Sequence, residues 1–382
     1  MIEITNRPSQ VIENAYNNQV FEYIGDPSKT AVRSFVSVFF NPSNFAGTFF
    51  SSQNLRINVP ANLNKFYVNL KKAVTNLFNQ NNFSDGIIPT STDFVKTDVS
   101  LFCRIGLRFT VVYNDGSQDQ LNTDQLYFKS VRNFFDFGFD TPPPSFRLLS
   151  ETNYFNYYEG LPFDLAFYSD NEGEVIITNE ATGLSASFNF NEGINRLFLS
   201  NGDTYNLGFE SELPLVIEKV NKLSFTNSQG ESLGTVFINK HKECNAPYLK
   251  WFNSMGSWSY YRFQKAFQGT TNHANREFLN ADFDNFEDSI GNFRATGKNA
   301  SRQFTLFTDT LNQDERDYFT SLFISPKIFL YDAPLNAPLT KTSFKEVSLI
   351  NGTNEDINTK LASKQFNITI ELPNINTQTY EN

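Results

Sequence analysis

The stretch EVIITNEATGLSASFNFNEGINRLFLSNGD, residues 174–203, decides the fold class. Glu174–Thr178 is a short β-branched run that ends before Ala181-Thr182-Gly183, and Arg196–Ser200 ends before Asn201-Gly202-Asp203. Further on, Thr235–Asn239 follows Gln229-Gly230. Gly, Asn and Asp adopt turn conformations that other residues avoid, so alternating runs between them read as strands joined by tight turns. The pattern holds from about Phe146 to Lys240. Strands spaced by roughly 8–12 residues predict a β-sandwich or barrel of immunoglobulin-like size over 146–240.

Upstream, Thr141-Pro142-Pro143-Pro144-Ser145 interrupts the pattern. Three prolines fix φ and remove backbone donors, which predicts a domain boundary there. Residues 1–140 then form an N-terminal β-rich domain, with strands at Val32–Phe40 and Leu55–Val59. Leu63, Phe66, Leu70, Val74 and Leu77 recur at steps of three and four, which predicts one helix over 62–78. Ser100–Tyr113 runs into Asn114-Asp115-Gly116, a hairpin signal, with Gln125–Val131 as the expected return strand.

Downstream, 245–382 reads as an α+β domain. Tyr248–Phe252 and Trp258–Phe263 flank a Ser254-Met255-Gly256-Ser257 turn, and Arg302–Phe307 is a further strand. Thr310-Leu311-Asn312-Gln313 has the spacing of a capping box, and Leu311, Tyr318, Phe319, Leu322 and Phe323 suit an amphipathic helix ended by Ser325-Pro326. Lys327–Tyr331, Phe344–Ile350 and Gln365–Leu372 complete the expected strands. The fold class is mainly β with α+β parts.

The bulk chemistry excludes several functions. A formal net charge of −10, without a clustered basic stretch, argues against a direct nucleic-acid partner. No apolar run approaches a membrane span, so no membrane insertion is expected. The start MIEITNRPSQ has neither a basic nor an apolar leader region, so no secretory signal is expected. Cys103 and Cys244 lack metal-ligand spacing and read as small buried hydrophobes of a chain made in a reducing cytoplasm. The 42 Phe and 16 Tyr, with abundant Asn, follow A/T-rich codons; some could also line interfaces.

Catalytic motifs are scarce. The two histidines, His241 and His273, would have to serve any Ser–His or Cys–His arrangement, and no Gly-x-Ser-x-Gly elbow or phosphate-binding loop accompanies them. No enzyme activity, catalytic residue, metal or cofactor is therefore expected. Asp282, Asp284 and Glu287 form the densest acidic cluster. Phe286 stands where a calcium loop needs an oxygen ligand and no glycine follows it, so the cluster reads as a solvated turn, with a non-standard calcium loop as the alternative. Trp251 and Trp258 could stack on a sugar if exposed, but their neighbours Phe252, Tyr260 and Phe263 favour a core role.

The run YLKWFNSMGSWSYYRF, Tyr248–Phe263, resembles a Tyr-Leu-Lys-Trp-Leu-Asn, glycine and aromatic-rich stretch of tail-region structural proteins of phages infecting Bacteroidetes. Phe252 stands where that stretch has Leu. The order that follows also resembles the family: Gly297-Lys298 with Arg302, the Leu311–Phe323 helix, Ser325-Pro326-Lys327-Ile328, and a closing Phe366–Glu371 strand. Pro8–Tyr23 and Cys103–Tyr113 fit it more loosely. About 135 residues carry the resemblance, and the 146–240 sandwich carries none. Tyr248, Trp251, Trp258 and Phe263 are its structural motif. The resemblance implies a virion component near the tail end, a distal-tail or baseplate ring protein that assembles as a homo-oligomer with other tail proteins. The alternative is a receptor- or carbohydrate-binding module, with a host surface glycan as partner and 146–240 as its host domain.

Overall fold

The computed structural model describes residues 1–8, 12–40, 55–60, 64–81, 83–90, 92–131, 145–203, 208–242, 245–275, 278–280, 293–295, 298–311, 313–352, 365 and 367–373. The chain is mostly β, 55% strand and 8% helix. In chain order the first strands are β1 (Glu3–Asn6), β2 (Ile12–Asn14), β3 (Val20–Ile24), β4 (Ala31–Phe40), β5 (Leu55–Val59) and β6 (Lys65–Asn69). Helix α1 (Lys71–Phe78) precedes β7 (Val95–Thr97), β8 (Phe102–Tyr113) and β9 (Gln118–Phe128). Next come β10 (Phe146–Leu148), β11 (Tyr154–Tyr158), β12 (Pro162–Ser169), β13 (Gly173–Asn179), β14 (Leu184–Phe190) and β15 (Gly193–Asn201). Helix α2 (Gly208–Glu212) leads to β16 (Val220–Asn227) and β17 (Ser232–His241). The last third holds β18 (Tyr248–Phe252), β19 (Trp258–Arg262), β20 (Phe267–Asn275), β21 (Phe278–Asn280), β22 (Phe293–Ala295) and β23 (Lys298–Phe307). Helix α3 (Gln313–Ile324) and strands β24 (Ile328–Tyr331), β25 (Phe344–Gly352) and β26 (Asn367–Glu371) close it.

Two compact units result. The larger comprises Met1–Glu243, Phe252–Ser259 and Leu335–Lys341; the smaller comprises Cys244–Trp251, Tyr260–Pro334 and Thr342–Asn382. The larger unit contains two sandwiches. In the first, the sheet β1-β3-β6 covers the sheet β2-β9-β8-β4-β5. Phe21, Tyr23 and Phe66 meet Val36, Val38, Phe109 and Val111 in its core. Tyr23 sits edge-on to Phe109 at 4.8 Å, and its hydroxyl is satisfied by Ser34 Oγ at 2.7 Å, as a buried phenol requires.

The second sandwich pairs β10-β12-β15-β7 with β11-β17-β16-β13-β14. Phe146 and Phe167 of the first sheet meet Phe190 and Phe225 of the second, with ring centroids 5.3 Å apart for Phe146–Phe190 and 4.9 Å for Phe167–Phe225. The β-sandwich expected over 146–240 is present, with one addition. Strand β7 comes from before the proline run and completes the smaller sheet by pairing Val95–Thr97 with Leu197–Asn195. Residues on both sides of the expected 141–145 boundary thus share one compact unit. Thr141–Pro144 themselves lie outside the described residues.

The helix expected over 62–78 is corrected by the structure. Lys65–Asn69 is a strand antiparallel to β3, and only Lys71–Phe78 is helical. Phe66 and Val68 face the core while Tyr67 and Asn69 face out, an alternation that a 3.6-residue stripe through Phe66 and Leu70 also matches. Asn69 Oδ1 marks the switch by accepting from the Lys71 amide at 3.0 Å, satisfying one otherwise unpaired donor of the first turn. The return strand of the Asp115-Gly116 hairpin also begins earlier than its apolar end suggests, at Gln118, because Gln118–Asp124 keeps one polar face in solvent.

In the smaller unit the sheet order is β19-β18-β24-β25-β26-β23-β20. Its outermost strands, β19 and β20, are joined by only 263–266. Five Cα steps reach about 19 Å, whereas seven strands laid flat would part the edges by about 29 Å. The sheet therefore folds over on itself. Phe263 and Gln264 make the corner: the Phe263 amide donates to Pro247 O, and the Gln264 amide to Phe307 O, each at 2.8 Å. Helix α3 spans the length expected for it. The capping-box residue Asn312 lies outside the described residues.

Candidate functional site

The aromatic motif of Tyr248, Trp251, Trp258 and Phe263 is core. Trp251 is fully buried, stacks on Phe319 at 5.7 Å, and donates its indole N–H to Ser321 Oγ at 3.0 Å. Tyr248 is buried against Tyr260, and Phe263 against Phe319. Trp258 is buried edge-on to Phe252 at 5.2 Å. None offers a face for a sugar. Asp282, Asp284, Glu287 and Cys244 lie outside the described residues. Among the described residues, no group of three or more His, Cys, Asp or Glu side chains is placed to hold a metal ion. Cys103 is buried in the first sandwich, where burial pushes its thiol up.

A long hairpin follows Phe263, and its first strand is exposed over Phe267–His273. Its register runs from Phe267↔Leu306 to Asn275↔Lys298 and continues without a shift through Phe278↔Ala295 to Asn280↔Phe293. At about 3.3 Å per residue, Phe267 to Asn275 spans about 26 Å. Strand β26 supports β23 only over Gln303–Phe307. Beyond Arg302 the hairpin is two-stranded among the described residues, and every residue from Phe267 to His273 is exposed. A lone two-stranded ribbon is marginal in water, and an open strand edge is a template for pairing.

Two buried charge clusters escaped the sequence reading. Arg196 on β15 is fully buried and grips Asp164 of β12 through Nε and Nη2, both at 2.8 Å. The same guanidinium grips Asp85 through Nη1 at 2.7 Å and Nη2 at 3.0 Å, and Asp98 Oδ2 lies 3.6 Å from Nη1. Three carboxylates share one cation. Burial pushes the Asp98 carboxyl up, against the pull of Arg196 and Ser100. On the other side of that sandwich, Lys240 Nζ lies 2.6 Å from Glu210 and 3.0 Å from Glu159, and the Tyr157 hydroxyl donates to Glu210 at 3.1 Å. The available signal was a lone charge inside an otherwise apolar strand, as Asp164 is within PFDLAFYS.

Lys129 is a third case. It is buried with its ammonium 3.9 Å from the centre of the Phe83 ring and 5.8 Å from that of Phe252. Burial pulls its pKa down to about 8, opposed by the Asp98 charge.

No family model matches the chain. No curated protein matches it either. Solved structures with some likeness include fibronectin(III)-like modules of Clostridium thermocellum CbhA, at 9% identity over 63% of this chain and 95% of theirs, with a TM-score of 0.19. A tandem repeat from the extending region of a large adhesion protein aligns at 7% identity over 80% of this chain and 55% of its own, with a TM-score of 0.23. The periplasmic chaperone SfaE aligns at 6% identity over 64% of this chain and all of its own, with a TM-score of 0.19. Scores this low carry no argument about function.

Proposed function

We propose that this chain is a structural component of a phage tail, a distal-tail or baseplate ring protein, and that it acts by oligomeric assembly and not by catalysis. The observation that carries the reading is the hairpin arm, a ribbon of Phe267–Asn275 paired with Lys298–Phe307, exposed over Phe267–His273 and about 26 Å long. A ribbon of that length gains stability when a neighbouring surface covers it, and a closed ring of identical copies supplies one such surface for every arm. The resemblance of Tyr248–Phe263 to phage tail proteins supports the same reading, since Tyr248, Trp251 and Phe263 of this run lie in the core of the unit that carries the arm.

The test compares the full chain with a variant in which 272–301 is replaced by Asn-Gly, closing the hairpin beyond the Thr271↔Arg302 pair. Native mass spectrometry and negative-stain imaging should show symmetric oligomers of the full chain, and monomers of the variant. A full chain that stays monomeric at all concentrations and does not associate with tail particles would refute the proposal.

A further inference from the structure

The parallel pair β11–β17 lies at one edge of the larger sheet of the second sandwich. Parallel register places like positions side by side, and here it builds three rungs on the outer face. Tyr154 stands beside Phe237, with the rings stacked at 6.3 Å; Tyr154 is 42% exposed. Two residues along, Asn156 stands beside Asn239. The third rung is Tyr158, itself buried, stacked on the half-buried His241 at 4.8 Å. The inner positions of the same strands, Phe155, Tyr157, Val236, Ile238 and Lys240, are buried.

The middle rung is pre-set. Asn239 Nδ2 donates to Asn156 Oδ1 at 3.2 Å, and His241 Nε2 lies 3.0 Å from the same oxygen. An amide oxygen only accepts, so the His241 tautomer that satisfies this contact is the one that donates from Nε2. Asn156 Oδ1 thus has both of its acceptor sites engaged, and its amide is fixed in orientation. Among the described residues, Asn156 Nδ2 and Asn239 Oδ1 make no hydrogen bond. The Asn156–Asn239 pair therefore keeps one amide donor and one amide oxygen for a ligand, one rung of about 6.6 Å from a half-exposed phenol ring.

We infer that this face is a saccharide-binding site, with Tyr154 as the stacking platform and Asn156 and Asn239 as a donor–acceptor pair for adjacent hydroxyls. A pyranose matches it on both counts. Its C–H face packs on an aromatic ring, and each hydroxyl both donates and accepts. Tyr suits the platform because a rigid amphipathic ring gives contact area at little cost in conformational entropy. Fixing the amides beforehand lowers the ordering cost of binding. Lys222, opposite Phe237 on β16, is held by Glu180 at 2.7 Å, so the surroundings favour a neutral sugar over an acidic one.

The experiment uses the full chain on a printed glycan array, followed by saturation-transfer NMR with methyl glycosides of the sugars that score. A neutral hexose or N-acetylhexosamine glycan should bind. Tyr154→Ala should weaken binding by about tenfold or more, and Tyr154→Phe should retain it to within about threefold. Asn156→Ala should weaken it with the near-ultraviolet circular dichroism unchanged. The arm-shortened variant should bind as the full chain does, which separates this site from the assembly role. Absence of any glycan signal would overturn the inference. So would Tyr154→Ala binding as well as the parent, or altering the oligomeric state while leaving the sugar signal intact.

Discussion

Arg196 and Asp164 are diagonal neighbours on adjacent strands, where Ala166 is paired with Arg196 and Phe198 with Asp164, and they form a fully buried, two-pronged ion pair with Nε and Nη2 each 2.8 Å from a carboxylate oxygen. The same arginine holds Asp85, which precedes β7, so one guanidinium fastens the incoming chain to the sandwich that β7 completes. Desolvating an ion pair offsets most of its Coulombic gain, but removing one partner strands the others. Arg196→Met should therefore cost about 3–5 kcal/mol, read as a lower urea midpoint. A variant within about 1 kcal/mol of the parent would mean that packing and not charge secures the segment.

Asp98 should respond in the opposite sense. Burial raises its pKa on folding, so the folded chain binds this proton more tightly than the unfolded chain does. The group's contribution is full below the ordinary carboxylate value and is lost as pH rises through the raised one. Asp98→Asn keeps an oxygen to accept from the Ser100 amide and hydroxyl, now at 3.1 and 2.6 Å, while relieving the excess negative charge around Arg196. At pH 7.5 the variant should be at least as stable as the parent, and any advantage of the parent should appear only in acid. Urea titrations at pH 4.5 and 7.5 check this; a large loss at pH 7.5 would sink it.

These charges explain where the sequence was readable and where it was not. Turn residues at their ends located β13, β15 and β17; β13 and β17 are half-buried and alternate every two residues, whereas β15 is buried throughout Gly193–Leu199. The Phe66–Leu70–Val74 spacing misled, since Phe66 belongs to strand β6, whereas Leu70 stands at the N-cap of helix α1 and Val74 lies inside it. Strand β7 could not be placed from local pattern, because Val-Lys-Thr acquires its partner from residues about a hundred positions away. Trp251 and Trp258 were read correctly as core from their neighbours. The Asn156–Asn239 rung was illegible: the two residues become a pair only through the parallel register of β11 and β17.

Lys129 offers a prediction with an inverted pH dependence. Its cation lies over the Phe83 ring at 3.9 Å, a contact that contributes about 0.5–2 kcal/mol, yet burial still holds its pKa down to about 8. Desolvation therefore exceeds the ring attraction. The unfolded chain retains the proton to higher pH, so the penalty is full below pH 8 and fades as pH rises past it. Lys129→Met should be more stable than the parent at pH 6.5, by about 1 kcal/mol or more. Thermal unfolding at pH 9.5 should show that gain shrinking. A gain that grew with pH would contradict the burial argument.

The last prediction sets two glycines against each other. Gly116 and Gly256 both turn hairpins with positive φ, +81° and +88°, a region that costs a residue with a Cβ about 1–2 kcal/mol. At Gly116 an added Cβ would meet nothing within 4 Å, so Gly116→Ala should cost that conformational amount alone. At Gly256 the same atom would lie 2.8 Å from Lys129 O and 3.2 Å from the Lys129 carbonyl carbon. That backbone cannot yield easily: the Lys129 amide donates to Leu101 O at 2.8 Å, and the Val131 amide to Ser254 O at 3.0 Å. Gly256→Ala must therefore displace the hairpin tip as well as strain its own φ, and should cost about 3 kcal/mol or more. Urea denaturation of the two variants under one set of conditions isolates the difference. Equal losses would mean that the Ser254–Gly256 turn does not rest against Lys129.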